Sequence, residues 1–161
     1  MFGFLKKQAA PTLQAPVDGQ VVDLTTVNDQ VFAQKLMGEG FGVQPANGQI
    51  YAPASGTITN VFKTKHAIGL TTADGLELLI HIGLDTVELD GQPFTMHVKE
   101  ADQVTPETLL ADADLAQIKA ADKEPVVLTL ITNSATNLAG LTPIKTQSVQ
   151  HGDVVTTLTL K

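Results

Sequence analysis

Cysteine is absent from the 161 residues, and so is tryptophan. Without thiols there is no disulfide, no thiolate nucleophile and no cysteine-type zinc site. Aromatic residues make up 4% of the chain, too few for the stacking platforms that hold single-stranded nucleic acid. Positive charge is also scarce: Lys and Arg number 10 against 17 Asp and Glu, a formal net charge of -7. Neutralising a phosphate backbone needs the opposite sign, so both shortages argue against a nucleic-acid partner. No apolar run approaches the roughly 20 residues that span a bilayer. The opening Met1-Phe-Gly-Phe-Leu-Lys-Lys7 lacks the core of a secretory signal. As one short amphipathic turn it supports at most weak contact with a membrane surface. A cytoplasmic protein is the expectation.

What remains is ordinary globular material. The hydrophobic fraction is 43%, enough for one domain with a proper core. Residues 1–14 read as a flexible tail and linker, because Ala9-Ala10-Pro11 breaks any helix. Residues 15–161 read as the folded domain; a start at Met and an end just past the last strand favour a free-standing subunit. Ala15-Pro-Val-Asp-Gly-Gln-Val-Val-Asp-Leu24 recurs as Ala52-Pro-Ala-Ser-Gly-Thr-Ile-Thr-Asn-Val61. Each copy runs Ala-Pro, two residues, Gly, then an alternating strand, as a duplicated β architecture would. Gly38, Gly40 and Gly42 suggest a phosphate loop, but no helix follows to offer its amides, so they read as strand and bulge glycines. Residues 114–121 carry Leu115 and Ile118 at helical spacing, the only convincing helix. Short strands with frequent turns predict an all-β fold: an antiparallel β-sandwich or barrel with internal duplication and one or two short helices.

Chemistry concentrates between Gly75 and Phe94. Alternation puts Leu76, Leu78, Ile80 and Ile82 on one face of a strand and Glu77, Leu79 and His81 on the other. Gly83 permits close approach beside the imidazole, and Asp85 can orient something at the strand end. Read as one strand, residues 60–70 place Phe62, Thr64, His66, Ile68 and Leu70 on a common face. If the two strands are neighbours, both imidazoles and the Thr64 hydroxyl converge. Such a pair suits phosphoryl transfer to nitrogen: one neutral imidazole attacks, and the other steadies the phosphoryl oxygens. An ordinary pair of half-buried histidines fits the spacing too. So does a zinc-dependent hydrolase using His66, His81 and Asp85, although neither His-x-His nor His-Glu-x-x-His is present to complete a ligand set. His97 and His151 read as surface or turn histidines, and Lys63 and Lys65 as solvated.

The sequence closely resembles the glucose-type enzyme IIA of the bacterial phosphoenolpyruvate-dependent sugar phosphotransferase system. The most specific stretch is Glu77-Leu78 followed by His81-x-Gly83-x-Asp85-Thr86-Val87-x-Leu89-x-Gly91-x-x-Phe94. Supporting it are Val31-Phe32-Ala33-x-Lys35-x-x-Gly38-x-Gly40, Ala52-Pro53-x-x-Gly56-x-Ile58 and Thr64-x-His66-Ala67. The resemblance implies a duplicated antiparallel sandwich. It also implies that His81 accepts a phosphoryl group on Nε2 from the phosphohistidine carrier protein HPr and passes it to a cysteine of an enzyme IIB domain. His66 would stabilise the group with support from Thr64. The Gly83 carbonyl would fix the His81 tautomer through Nδ1, and Asp85 would shape the site. Val31, Met37, Phe62, Leu79 and Val87 would form an apolar rim for docking, a surface that regulatory targets could share. No cofactor is required. Zinc held by His66 and His81 with a partner's carboxylate occurs in some members, and a purely regulatory binding module on the same fold is a further alternative. Residues 99–112 depart from the family in lacking its glycine-bearing turns.

Overall fold

A computed structural model describes residues 10–161. Strands account for most of the regular secondary structure. The first half contains β1 (Thr12–Gln14), β2 (Gly19–Val22), β3 (Glu39–Pro45), β4 (Gln49–Tyr51), β5 (Gly56–Val61), β6 (Ala67–Thr71) and β7 (Glu77–Ile82). The second contains β8 (Phe94–Met96), β9 (Gln103–Val104), β10 (Leu109–Ala113), β11 (Val127–Ile131), β12 (Leu138–Leu141), β13 (Ser148–Val149) and β14 (Val154–Leu160). The helices are short: α1 (Gln30–Ala33), α2 (Leu115–Ala120) and α3 (Ser134–Asn137). α2 is the helix expected from Leu115 and Ile118; its N-cap, Asp114, accepts a bond from the Gln117 amide. α1 and α3 span one turn each, too short for a periodic signal to show.

An eight-stranded antiparallel sheet runs β13-β2-β3-β11-β7-β6-β5-β9, and β1-β14-β12 and β4-β10-β8 form two smaller sheets. Alternate residues of the large sheet enter the main core, among them Val21, Phe41, Val43, Ile58, Ile68, Leu70, Leu78, Ile80 and Ile82. β11 is buried along its whole length because both faces are covered. Val127 and Ile131 join the main core, while Leu128 and Leu130 pack with Leu24, Phe32, Leu84 and Val126 under α1. A strand covered on both sides reads as a continuous apolar run rather than an alternating one.

The repeated Ala-Pro-x-x-Gly has one physical cause in both copies. Gly19 opens β2 and Gly56 opens β5. A Cβ on Gly19 would fall 2.0 Å from the Gln44 carbonyl oxygen, and one on Gly56 would fall 2.3 Å from that of Thr71. Each strand therefore starts hard against the strand it pairs with, and only glycine fits.

The linker expected over residues 1–14 is corrected at its end. Thr12–Gln14 form β1, paired antiparallel with β14, and Leu13 is fully buried in the core. Pro11 does not end order; its carbonyl accepts the Leu158 amide at 2.8 Å. The tail expected over residues 1–9, with its membrane contact, lies outside the described residues. Among the described residues no helix is long and apolar enough to cross a membrane.

Candidate functional site

His81 lies near the end of β7, opposite Ala67 on β6 and Leu128 on β11. The burial pattern of β7 alternates as the sequence requires, with Leu78, Ile80 and Ile82 inward and Glu77, Leu79 and His81 on the other face. His66 immediately precedes β6, and its carbonyl accepts the Ile82 amide at 2.7 Å. The two imidazoles meet edge to face, with ring centroids 5.0 Å apart and planes at 82°.

They do not meet through a continuous strand over residues 60–70. The chain turns between β5 and β6, closed by Phe62 N–H to Ala67 O at 3.1 Å and Lys65 N–H to Phe62 O at 2.8 Å. Lys65 adopts a left-handed φ of 57°. That turn undoes the expected common face: Ile68 and Leu70 enter the core, whereas Phe62 stacks edge-on against His66 at 5.4 Å, on the His81 side. The convergence expected from alternation is produced instead by a tight turn.

Each histidine is held through Nδ1. His81 Nδ1 lies 2.8 Å from the Gly83 carbonyl oxygen. A carbonyl can only accept, so Nδ1 carries the proton and Nε2 keeps its lone pair. His66 Nδ1 lies 2.6 Å from Thr64 Oγ1, a partner that can donate or accept. Neither Nε2 has a protein partner among the described residues. The only fully buried, unpartnered side-chain nitrogen or oxygen there is Thr129 Oγ1, so both Nε2 atoms reach solvent although His66 is only 7% exposed. Burial lowers the His81 pKa to about 4, helped by repulsion from a charged His66; the Gly83 carbonyl, Asp29 and Asp85 pull weakly the other way. Burial also lowers the pKa of His66. Both rings are neutral at physiological pH, the form in which imidazole is a nucleophile.

Asp85 follows β7 in a left-handed conformation, capping a short 3-10 turn, and acts on His81 only through its field. It does not complete a hydrolytic zinc site: among the described residues no group of three His, Asp or Glu side chains is disposed to hold a metal. The zinc-hydrolase reading is set aside on that geometry. Val31, Met37, Phe62 and Val87 are exposed apolar side chains, and Leu79 is half-buried on the His81 face. Three contributors escaped sequence reasoning. Phe32, buried on α1, lies against His81 with ring centroids 4.9 Å apart; Asp29, the N-cap of α1, adds its field; and Leu36, 69% exposed, extends the apolar surface after α1. The Asp-x-x-Phe spacing across a helix cap was the available signal. His97 and His151 are placed elsewhere, on Asp112 and Tyr51.

The chain has clear relatives among known proteins. Residues 11–137 match the family described as phosphoenolpyruvate-dependent sugar phosphotransferase system, EIIA 1. The chain is 52% identical over 127 residues to the PTS system glucose-specific EIICBA component of Streptococcus pneumoniae, covering 79% of this chain and 18% of that one. It is 46% identical over 133 residues to the PTS system beta-glucoside-specific EIIBCA component of Bacillus subtilis, covering 83% and 22%. Against the PTS system glucose-specific EIIA component of Halalkalibacterium halodurans it is 45% identical over 140 residues, covering 83% of this chain and 81% of the relative. The chain thus spans about a fifth of the two larger relatives. The solved glucose permease IIA from Mycoplasma capricolum superposes with a TM-score of 0.81 at 35% identity, over 96% of this chain and 98% of that one.

Proposed function

Because the chain belongs to the EIIA 1 family of the phosphoenolpyruvate-dependent sugar phosphotransferase system, and so is a phosphocarrier component, we propose that His81 is the residue that carries the phosphoryl group. One observation carries this assignment: the Gly83 carbonyl holds the proton of His81 on Nδ1, leaving Nε2 unprotonated and open to solvent.

The step balances without moving a proton. The Nε2 lone pair attacks phosphorus; the phosphorus–nitrogen bond of the donor's phosphohistidine breaks, and its electron pair returns to the donor ring. His81, now substituted on Nε2 and still protonated on Nδ1, is an imidazolium. The Gly83 carbonyl and the nearby Asp29 and Asp85 charges favour that cation. Onward transfer runs the same bookkeeping in reverse: a thiolate attacks phosphorus and the pair returns to Nε2. With Thr64 donating its hydroxyl proton to His66 Nδ1, His66 presents N–H at Nε2 to the phosphoryl oxygens. Preorganised donors of this kind stabilise in-line transfer where covalent help is not needed.

The donor in this reading is the phosphohistidine carrier HPr, and the acceptor is the cysteine of an enzyme IIB domain. Val31, Met37, Phe62, Leu79 and Val87 form the docking rim. Exposed apolar groups around a polar centre suit brief contacts, burying enough to align two proteins without trapping them. The same two Nε2 atoms also fit half of a tetrahedral zinc set, since each Nδ1 is already engaged by an oxygen. A partner's carboxylate would have to supply the rest, so zinc here would mark a regulatory complex rather than the relay. All of this chemistry is cytoplasmic.

Incubation with phosphoenolpyruvate, its kinase and the carrier should label His81, and His81→Gln should take no label. A labelled His81→Gln protein overturns the assignment.

A further inference from the structure

We infer that Thr86 is a positioning residue for His81, holding the backbone of residues 82–84 so that the Gly83 carbonyl stays aimed at Nδ1. The inference rests on the acceptor role proposed for His81 and adds the device that keeps its tautomer fixed.

Thr86 is fully buried, and both ends of its side chain engage the same short stretch. Its hydroxyl donates to the Ile82 carbonyl. Its methyl lies so close beneath Gly83 that a Cβ there would come within 2.5 Å of it. Gly83 takes a φ of 81°, a conformation that an L side chain rarely adopts and glycine adopts freely. Neighbouring strand ends complete the clamp. Gly83 N–H donates to Val126 O at 2.8 Å, and Leu84 N–H donates to Glu124 O at 2.9 Å.

The Leu84 amide and the Gly83 carbonyl belong to one planar trans peptide group, so they point in opposite directions and rotate together. Fixing Leu84 N–H on Glu124 therefore fixes Gly83 C=O on His81. The result is a chain of groups: Glu124 carbonyl, Leu84 amide, Gly83 carbonyl, His81 Nδ1–H. Hydrogen bonds in series polarise one another, so the remote bond makes the near one stronger. Thr86 secures the peptide before it, through the Ile82 carbonyl, and so sets the angle at which the Gly83 peptide leaves β7. Without its hydroxyl, the Ile82–Gly83 peptide loses that tether, the Gly83 carbonyl drifts off Nδ1, and His81 can take the other tautomer, which has no lone pair on Nε2.

A merely structural threonine would change stability; a positioning one changes the tautomer. The tautomer is read by long-range nitrogen–proton NMR correlations of the His81 ring in the whole, unphosphorylated chain. Thr86→Val, which keeps the shape and removes the hydroxyl, should shift His81 from wholly Nδ1–H toward a mixture. It should lower the rate constant for phosphoryl acceptance by about 10- to 100-fold, the usual effect of removing a group that orients a working histidine, while KM for the carrier stays unchanged. Thr86→Ser, which keeps the hydroxyl, should restore both. A Thr86→Val protein with a wild-type tautomer, or a rate loss with the tautomer unmoved, overturns the inference. Should Thr86→Val not fold, the wild type still decides: on phosphorylation or acid titration of His81 the Leu84 amide resonance should shift more than that of Ile82, and a silent Leu84 overturns the chain. A failure of the acceptor assignment is recognised separately, by label on His81→Gln.

Discussion

Four histidines fall into two contrasting pairs. His66 and His81 face each other at 5.0 Å, each tied through Nδ1 to an uncharged oxygen. His97 and His151 stand apart, one just after β8 and the other in the turn before β14. His97 has its Nε2 2.6 Å from the Asp112 carboxylate, and the His151 ring lies flat on Tyr51 at 3.8 Å. The residue type is the same in both pairs; what differs is which nitrogen is used up. A carboxylate on Nε2 occupies the atom that chemistry would need, whereas a carbonyl on Nδ1 prepares it. Desolvation also keeps the inner pair uncharged. Reactivity here is a property of the second partner of the ring.

Three experiments test that contrast in order of effect. The largest removes the helper from the inner pair. His66→Gln should still be labelled on His81, because an amide can donate to phosphoryl oxygens, but onward transfer should slow by about 10²–10³-fold, the usual loss of a preorganised donor. Unimpaired onward transfer in a rapid-quench assay would remove His66 from the mechanism.

Next in size is the linkage of His81 to stability. Its pKa is about 4 in the folded chain against an ordinary 6.5, so between these values the unfolded chain binds a proton that the folded one refuses. Stability therefore falls as pH drops from 6.5 toward 4 and the contribution then levels off, a total on the order of 3 kcal/mol. Urea melts across that window should lose much of this slope in His81→Gln, and an NMR titration should place the His81 midpoint near 4. A midpoint near 6.5 would mean that the ring is wetter than its packing against Phe32 and His66 implies.

The smallest effect belongs to the outer pair. His97→Asn breaks an exposed contact between a ring nitrogen and a carboxylate, which at the surface contributes roughly 0–1 kcal/mol, and should leave labelling and onward transfer at wild-type rates. A relay defect in this variant would erase the distinction between the pairs.

The inner pair was half legible in the sequence. β7 shows itself through the alternation from Leu76 to Ile82, because one of its faces is buried and the other is not. The His66 side was harder to read. Its turn depends on Lys65 in a left-handed conformation, and lysine gives no local sign of that, so Asn60–Leu70 read as one strand. Convergence of the two rings was expected for the wrong reason. Phe32 was missed because a one-turn helix has no period to detect, and its contact with His81 spans four strands, β3 to β6, in sequence. Thr12–Gln14 read as linker because a three-residue strand exists only through its partner, β14, at the far end of the chain. Residues that depend on a distant partner were the ones the sequence concealed.

One backbone bond described above bears on how the relay withstands heat. The Ile82 amide and His66 carbonyl are 2.7 Å apart, so the turn that presents His66 is tied directly to the last residue of β7, and the spacing of the two rings is held by the central sheet as well as by the turn. Loops open piecemeal on warming, but a central sheet yields only with the whole molecule. The carrier should therefore keep its full competence up to the temperature at which it melts, and lose it all at once.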